Sequence, residues 1–221
     1  MKIFASILNA DLANLAREVT RLKAAGITAL HIDVMDGVFV PPMTVGDVVV
    51  RSLRENRALC GDMIFDTHLM VANPSMRLLA NFAQAGSDVI TIHVEGNDDI
   101  AAKLAYIREL GCKAGLAFNP ETPVSAAAPY VGAVDMFTVM SVRPGYGGQA
   151  FIPESLNKIA ALRAELKSRG IVAEIEVDGG INAETAPSVI KAGADILVSG
   201  SYLFNAENMA EAVKLLLSTA R

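Results

Sequence analysis

The sequence predicts an α/β fold, a single (β/α)8 barrel of the TIM-barrel type that takes in residues 1–221. Short apolar runs rich in β-branched residues alternate with stretches of helical periodicity eight times, and no linker interrupts them. The 221 residues fall within the roughly 200 to 250 usual for one such barrel. Hydrophobic residues make up 52% of the chain and charged residues 19%, as expected when helices cover a parallel sheet and its strands are apolar on both faces.

The predicted strands are short and predominantly apolar. They span residues 3–8, 29–33, 63–70, 89–94, 112–118, 136–142, 174–178 and 196–200. Helical spacing of apolar residues separates them, and four helical stretches end in a glycine, which adopts the left-handed cap at the lowest cost. An open doubly wound sheet is the alternative. The closed barrel is favoured because every strand looks buried and no G-x-G-x-x-G follows the first one.

Charge and composition exclude several classes of partner. The net charge of -5, without any cluster of Lys and Arg, argues against nucleic acid and against an anionic membrane surface. No apolar run approaches the roughly 18 residues that a bilayer span needs. The two cysteines, Cys60 and Cys112, do not form a C-x-x-C motif, and the first residues lack the pattern of a secretory peptide. We therefore expect a cytoplasmic protein.

The chain has only three histidines, and each lies at or near the end of a predicted strand. His31, His68 and His93 lie on the second, third and fourth strands, toward the barrel end where active sites of this architecture collect. A lone strand histidine is usually a core residue, but three at the same end indicate a site. The role of His93 is left open.

Two carboxylates accompany these imidazoles. Alternation along a strand places His31 and Asp33 on the same side of the sheet, and Asp178 ends the seventh strand. With His68 they form a mixed nitrogen and oxygen site suited to one divalent ion, Zn, Fe, Mn or Co. Asp178 can instead be a helix N-cap or Asx turn before the glycines that follow it. Asp66 alternates with His68 and can support that ring from behind, but its role is left open.

Three glycine-bearing loops follow the last three strands and predict a phosphate site. They contain Gly145, Tyr146, Gly147 and Gly148, then Gly179 and Gly180, then Gly200 and Ser201. Backbone amides of such loops approach an anion closely, and helix N-termini add partial positive charge. An acidic chain can therefore bind phosphate without a basic patch.

Three methionines, Met35, Met70 and Met140, fall at or just past strand ends. Methionine at such positions usually fills a core. Around a reacting enolate, these side chains can instead exclude water without offering a competing proton.

Six ordered blocks of the sequence resemble the ribulose-phosphate 3-epimerase family across essentially the whole chain. They are ASIL at 5–8, HIDVMDG at 31–37, HLM at 68–70, MSV with PGYGGQ at 140–149, EVDGG at 176–180 and GS at 200–201. The resemblance implies a (β/α)8 barrel that binds one divalent metal through His31, Asp33, His68 and Asp178. It also implies that Asp33 and Asp178 exchange the proton, that Ser6 and His68 touch substrate, and that the protein is a homo-oligomer.

The reaction implied is epimerisation at carbon 3 of a phosphorylated ketose, most simply D-ribulose 5-phosphate to D-xylulose 5-phosphate. Asp33 would remove the proton, an enediolate would form beside the metal, and Asp178 would return a proton to the other face. The sequence departs from the family pattern at Val38, Pro42, Arg143 and Asn9, where His, Asn, a smaller polar or acidic residue and Ser are more frequent. These departures leave the choice of ketose open.

Three other functions fit parts of the pattern. An allulose-6-phosphate epimerase would share the same catalytic residues. A decarboxylase or aldolase needs a lysine at the barrel mouth, and no predicted strand ends in one. A noncatalytic sugar-phosphate binder has no need of His31, Asp33, His68 and Asp178 together.

Overall fold

The structure is a computed structural model, and it describes residues 1–96 and 98–218. Eight strands and nine α-helices are found in these residues. The strands are β1 Lys2–Ser6, β2 Ala29–Met35, β3 Ile64–Met70, β4 Val89–His93, β5 Lys113–Phe118, β6 Met136–Met140, β7 Glu174–Asp178 and β8 Ile196–Ser199. The helices are α1 Leu15–Ala24, α2 Asp47–Glu55, α3 Arg57–Cys60, α4 Met76–Ala85, α5 Ile100–Glu109, α6 Ser155–Ser168, α7 Ala186–Ala192, α8 Ser201–Phe204 and α9 Met209–Ser218.

The strands form one closed parallel barrel, which confirms the predicted fold class. Each strand pairs with the next along the chain, and β1 closes the barrel by pairing with β8. The first predicted strand was too long at its carboxyl end. Residues Ile7–Asn9 form a 3-10 turn instead, because the Ser6 hydroxyl accepts a hydrogen bond from the Leu8 amide and caps the turn.

Alternation along β2 determines which of its side chains face the barrel interior. Leu30, Ile32 and Val34 belong to the large apolar cluster between the sheet and the helices. The residues between them therefore point into the barrel, and they include His31 and Asp33. All seven residues of β2 are buried, and the strand is apolar on its helix side while its inner side carries His31 and Asp33.

A separate apolar cluster fills the amino end of the barrel. It consists of Phe4, Ala29, Val89, Met136, Ile196 and Val198. Most of these residues begin their strands, so they close the barrel below the polar groups at the carboxyl end. In the residues that the structure describes, no helix is long and apolar enough to cross a membrane.

A guanidinium clamp holds α2 to the amino ends of β3 and β4. Arg54 donates to the carbonyl of Gly86 at 3.0 and 2.7 Å, to the Met63 carbonyl at 2.8 Å and to Asp88 at 2.6 Å. Its guanidinium lies 3.7 Å from the centre of the Phe65 ring. Asp88 also accepts from the Phe65 amide at 2.7 Å, so one ion pair joins a helix, a helix cap and two strands.

The same clamp recurs between α6, α7 and β7. Arg163 donates to the carbonyl of Gly193 and to Asp195, and Asp195 accepts from the Ile175 amide at 2.8 Å. Gly193 has φ +117°, and a side chain there would lie 2.9 Å from Arg163. The repeat therefore depends on glycine at the helix cap both for its left-handed backbone and for space.

We expect Arg54→Ala to lower the free energy of unfolding by roughly 2–4 kcal/mol, because it removes several charge-assisted hydrogen bonds and a cation–π contact. Chemical denaturation measures the change. The control is Arg51→Ala on the same helix, where the side chain pairs only with Asp47 at an exposed position and the expected loss is below about 0.5 kcal/mol. Equal losses in the two variants would contradict the clamp.

Candidate active site

The predicted metal ligands come from three strands and meet at the carboxyl end of the barrel. His31 and Asp33 lie on β2, His68 on β3, and Asp178 ends β7. The register of the sheet pairs Asp33 with His68, which brings these two side chains together. β7 reaches the same point from across β1 and β8, so Asp33 and Asp178 approach from different walls of the barrel.

The ligand atoms of these four residues converge. Asp33 Oδ1 lies 3.3 Å from His31 Nε2 and 3.2 Å from His68 Nδ1, and the two ring nitrogens are 3.3 Å apart. Asp178 Oδ2 lies 3.6 Å from each ring nitrogen. All four ligand atoms lie within 4.8 Å of one another.

These spacings suit one divalent ion. Ligands bound at ~2.0–2.2 Å to a tetrahedral centre lie roughly 3.3–3.6 Å apart, which matches the measured nitrogen and oxygen separations. The donor set, two imidazoles and two carboxylates, is the one that transition metals of borderline softness prefer. The residues present therefore fit a metal ion, and the cluster could hold one.

Further carboxylates lie behind His31. Asp66 Oδ2 is 2.6 Å from His31 Nδ1, and Glu176 Oε2 is 3.8 Å from the same nitrogen. Alternation along β3 suggested that Asp66 supports His68, but in the structure Asp66 contacts His31. The sheet register places Asp66 beside His31 on the neighbouring strand, so its carboxylate fixes the ring of His31 instead.

Buried negative charge dominates the electrostatics of this region. Burial and the neighbouring Asp66 carboxylate raise the pKa of Glu176 to about 7. Burial alone would also raise the pKa of Asp33, but His31 and His68 hold it well below its usual range. Burial opposes a charged His31 ring, yet the carboxylates of Asp33, Asp66 and Glu176 raise its pKa well above its usual value. The site therefore favours positive charge at its centre.

His68 continues into a second hydrogen-bonded chain on its other side. Its Nε2 lies 2.8 Å from His93 Nε2, and His93 Nδ1 lies 3.1 Å from Glu95 Oε2. Burial lowers the pKa of His93 to about 4, so the ring is neutral at physiological pH. Burial acts to raise the pKa of Glu95, but hydrogen bonds from His93, the Asn119 amide and Thr122 hold it below its usual range.

A cavity opens above the predicted metal ligands, and most of the residues predicted to bind substrate line it. The predicted residues that line it are Ser6, Asp33, Met35, Met70, Met140, Gly145, Tyr146, Gly147, Gly148, Asp178, Gly179, Gly180, Gly200 and Ser201. His31 and His68 are not among the lining residues, because both rings are fully buried beneath the two aspartates. Ser6 donates to Asp33 Oδ2 at 2.7 Å and so orients that carboxylate.

The three glycine loops form one wall of the cavity. Gly180 has φ +65°, and a side chain there would lie 2.5 Å from the backbone nitrogen of Phe151. A side chain on Gly147 would overlap Asn9, at 2.4 Å. Glycine therefore lets the loops pack closely enough to place backbone amides on the cavity.

Two of the positions that depart from the family pattern, Asn9 and Arg143, line the cavity. Arg143 lines it, is mostly exposed, and pairs with Glu121 at 2.7 Å. A side chain on Gly145 would lie 3.6 Å from Pro42 Cδ, so the segment that follows β2 approaches the first glycine loop. Val38 is exposed on the same segment.

Two acidic residues at this end of the barrel, Glu95 and Glu176, were not predicted from the sequence. Glu95 lies two residues beyond β4, and Glu176 was read only as part of its strand. The signal for Glu176 was a charged residue in the middle of a buried strand, which is rare unless the charge is paired. Glu95 gave no such signal, because a carboxylate just past a strand end resembles any exposed acid.

Comparison with known proteins agrees with this geometry. Residues 2–204 match the family model described as the ribulose-phosphate 3 epimerase family. "Ribulose-phosphate 3-epimerase" of Synechocystis sp. is 43% identical over 210 residues, covering 94% of this chain and 89% of the relative. The protein of the same name from Escherichia coli K12 is 42% identical over 200 residues, covering 90% and 87%.

Among solved structures, 3-hexulose-6-phosphate synthase from Salmonella typhimurium superposes with a TM-score of 0.72 at 16% identity, covering 100% of this chain and 98% of that chain. This likeness shows the shared barrel fold alone. The family match extends over nearly all of the barrel and includes all four converging metal-ligand candidates. The chain belongs to the ribulose-phosphate 3-epimerase family.

Proposed function

We propose that this protein epimerises carbon 3 of a phosphorylated ketose, interconverting D-ribulose 5-phosphate and D-xylulose 5-phosphate. The observation that carries the proposal is the approach of Asp33 and Asp178 to one point from different walls of the barrel, beside two imidazole nitrogens. Inverting a carbon next to a carbonyl requires removal of a proton from one face and its return on the other. The names of the relatives from Synechocystis and Escherichia coli support the same reaction.

Asp33 and Asp178 are the proposed acid and base. The low pKa of Asp33 keeps it ionised at neutral pH, as a base must be, and the Ser6 hydroxyl holds one of its oxygens in place. Asp178 is partly exposed to the cavity and faces the same point. One aspartate takes the proton from carbon 3 and the other delivers a proton to the opposite face, and their roles exchange in the reverse direction.

His31, His68, Asp33 and Asp178 are the proposed ligands of one divalent ion, Zn, Fe, Mn or Co. When bound, the ion supplies positive charge that stabilises the negative charge developing on the substrate oxygens as the proton leaves. Asp66 fixes the orientation of the His31 ring through the 2.6 Å contact with Nδ1.

Substrate binding is proposed for two chemically different parts of the cavity. The thioethers of Met35, Met70 and Met140 surround the reacting end and carry no exchangeable proton, so they keep water from the enediolate without protonating it. Backbone amides of the loops at Gly145, Tyr146, Gly147 and Gly148, at Gly179 and Gly180, and at Gly200 and Ser201 hold the phosphate. This arrangement lets a chain of net charge -5 bind an anion.

We expect Asp33→Asn and Asp178→Asn each to lower kcat by at least about a thousandfold, because each removes an acid or base and a metal ligand. A coupled assay of D-xylulose 5-phosphate formation measures the effect, and circular dichroism checks that the barrel is folded. Asp62→Asn, an exposed carboxylate at the amino end, is the control and should keep full activity. Substantial turnover in either catalytic variant would refute the two-base scheme.

Incubation of D-ribulose 5-phosphate with the enzyme in heavy water should place deuterium at carbon 3, because the aspartates exchange their proton with solvent between turnovers. NMR of the sugar phosphates at equilibrium measures the label. Label-free epimer formed under these conditions would point to a mechanism without solvent-exchanging bases, and label at carbon 1 would point to an isomerase.

A panel of pentulose 5-phosphates and hexulose 6-phosphates tests the choice of substrate. We expect the highest kcat/KM with D-ribulose 5-phosphate, by roughly tenfold or more over the hexuloses, since one additional carbon must fit between fixed phosphate loops and fixed aspartates. A higher kcat/KM for allulose 6-phosphate would reassign the substrate and leave the reaction type intact.

A further inference from the structure

The hydrogen-bonded chain behind His68 ends in a carboxylate whose orientation is fixed. Glu95 Oε1 accepts from the Asn119 amide at 2.6 Å and from the Thr122 hydroxyl. The other oxygen, Oε2, faces His93 Nδ1 at 3.1 Å. A backbone N–H can only donate, so Asn119 holds an acceptor at the Oε1 position and thereby determines which oxygen faces the ring.

An ionised carboxylate accepts hydrogen bonds and donates none, so His93 carries its proton on Nδ1. A neutral imidazole that donates through Nδ1 is an acceptor at Nε2. His68 Nε2 lies 2.8 Å from it and must be the donor. With a metal ion bound, a neutral His68 that has its proton on Nε2 would present the lone pair of Nδ1, the nitrogen that lies among Asp33, Asp178 and His31.

We propose that Glu95 and His93 are positioning residues that act through His68, fixing its proton on Nε2 so that the Nδ1 lone pair is available to the metal ion. His31 receives the equivalent support directly from Asp66, whereas His68 receives it through a second imidazole. The inference rests on the proposed function, because it assigns a role toward the proposed metal site.

Glu95→Gln tests the proposal because it keeps the shape of the side chain and reverses the chain of hydrogen bonds. The Asn119 amide holds the carboxamide oxygen at the Oε1 position, so the NH2 group faces His93 Nδ1. That nitrogen becomes an acceptor, the His93 proton moves to Nε2, and the His68 proton is driven to Nδ1. The N–H of His68 Nδ1 then points toward the proposed metal position and blocks the lone pair. Replacing the carboxylate that supports a catalytic histidine with a carboxamide imposes a wrong tautomer in the same way.

Two measurements read the outcome. Competition with a chromophoric chelator gives the Zn²⁺ dissociation constant, which we expect to rise about 10- to 100-fold in Glu95→Gln. Two-bond proton–nitrogen NMR correlation gives the tautomers, and the chain has only three imidazoles to assign. We expect the zinc-loaded protein to show His93 protonated on Nδ1, and zinc-free Glu95→Gln to show it protonated on Nε2. Glu109→Gln, which removes an exposed carboxylate at the end of α5, should bind Zn²⁺ like the unaltered protein.

Each contrary result has a distinct meaning. A His93 proton on Nε2 in the unaltered zinc-loaded protein would overturn the proposal, and this measurement stands even if the variant does not fold. Unchanged Zn²⁺ affinity in Glu95→Gln would also overturn the proposal. So would a weaker affinity in a variant whose zinc-free form still has the His93 proton on Nδ1, because the loss would then come from the missing charge alone. Absence of Zn²⁺ binding to the unaltered protein would instead refute the proposed metal site.

Discussion

Four acidic side chains surround the His31 ring at the carboxyl end of the barrel, and the rest of this end is arranged around their charge. Asp66 and Glu176 are fully buried, Asp33 is nearly so, and Asp178 closes the group from the cavity side. Such a concentration of carboxylates in a protein interior is unfavourable unless cations or protons compensate it. His31 and His68 stand between the acids and provide two of the atoms that a metal ion requires. Charge compensation, rather than packing, therefore explains why these side chains tolerate burial.

Much of this arrangement could be predicted from the sequence because it depends on local periodicity. The alternation of His31 with Asp33 fixes their common direction as soon as the strand is recognised. The position of Asp178 at the end of a buried strand likewise indicates that its side chain lies at the carboxyl end of the barrel, on a different wall. The glycine loops were visible as composition, since few other residues allow a backbone to approach an anion so closely.

The parts that could not be predicted depend on the register between strands. Asp66 alternates with His68 on its own strand, which suggested that the two act together, but the pairing of β2 with β3 places Asp66 opposite His31. The sequence contains no local signal for that pairing. Glu95 could not be predicted for a related reason. Its hydrogen-bond partners are His93 and the backbone amide of Asn119, and Asn119 belongs to the next loop along the barrel. Contacts between separate βα units are decided by the closed sheet, not by any one segment.

The guanidinium clamps and the chemistry lie at opposite ends of the same strands. Arg54 and Arg163 secure the helices where the strands begin, while Val38, Pro42 and Arg143 belong to loops that leave the strands where they finish. Natural variation in these rim loops can therefore alter which ligand the cavity admits without weakening the scaffold. Selection for a new substrate and selection for heat resistance would act on largely separate sets of positions, and a laboratory could pursue the two aims in parallel.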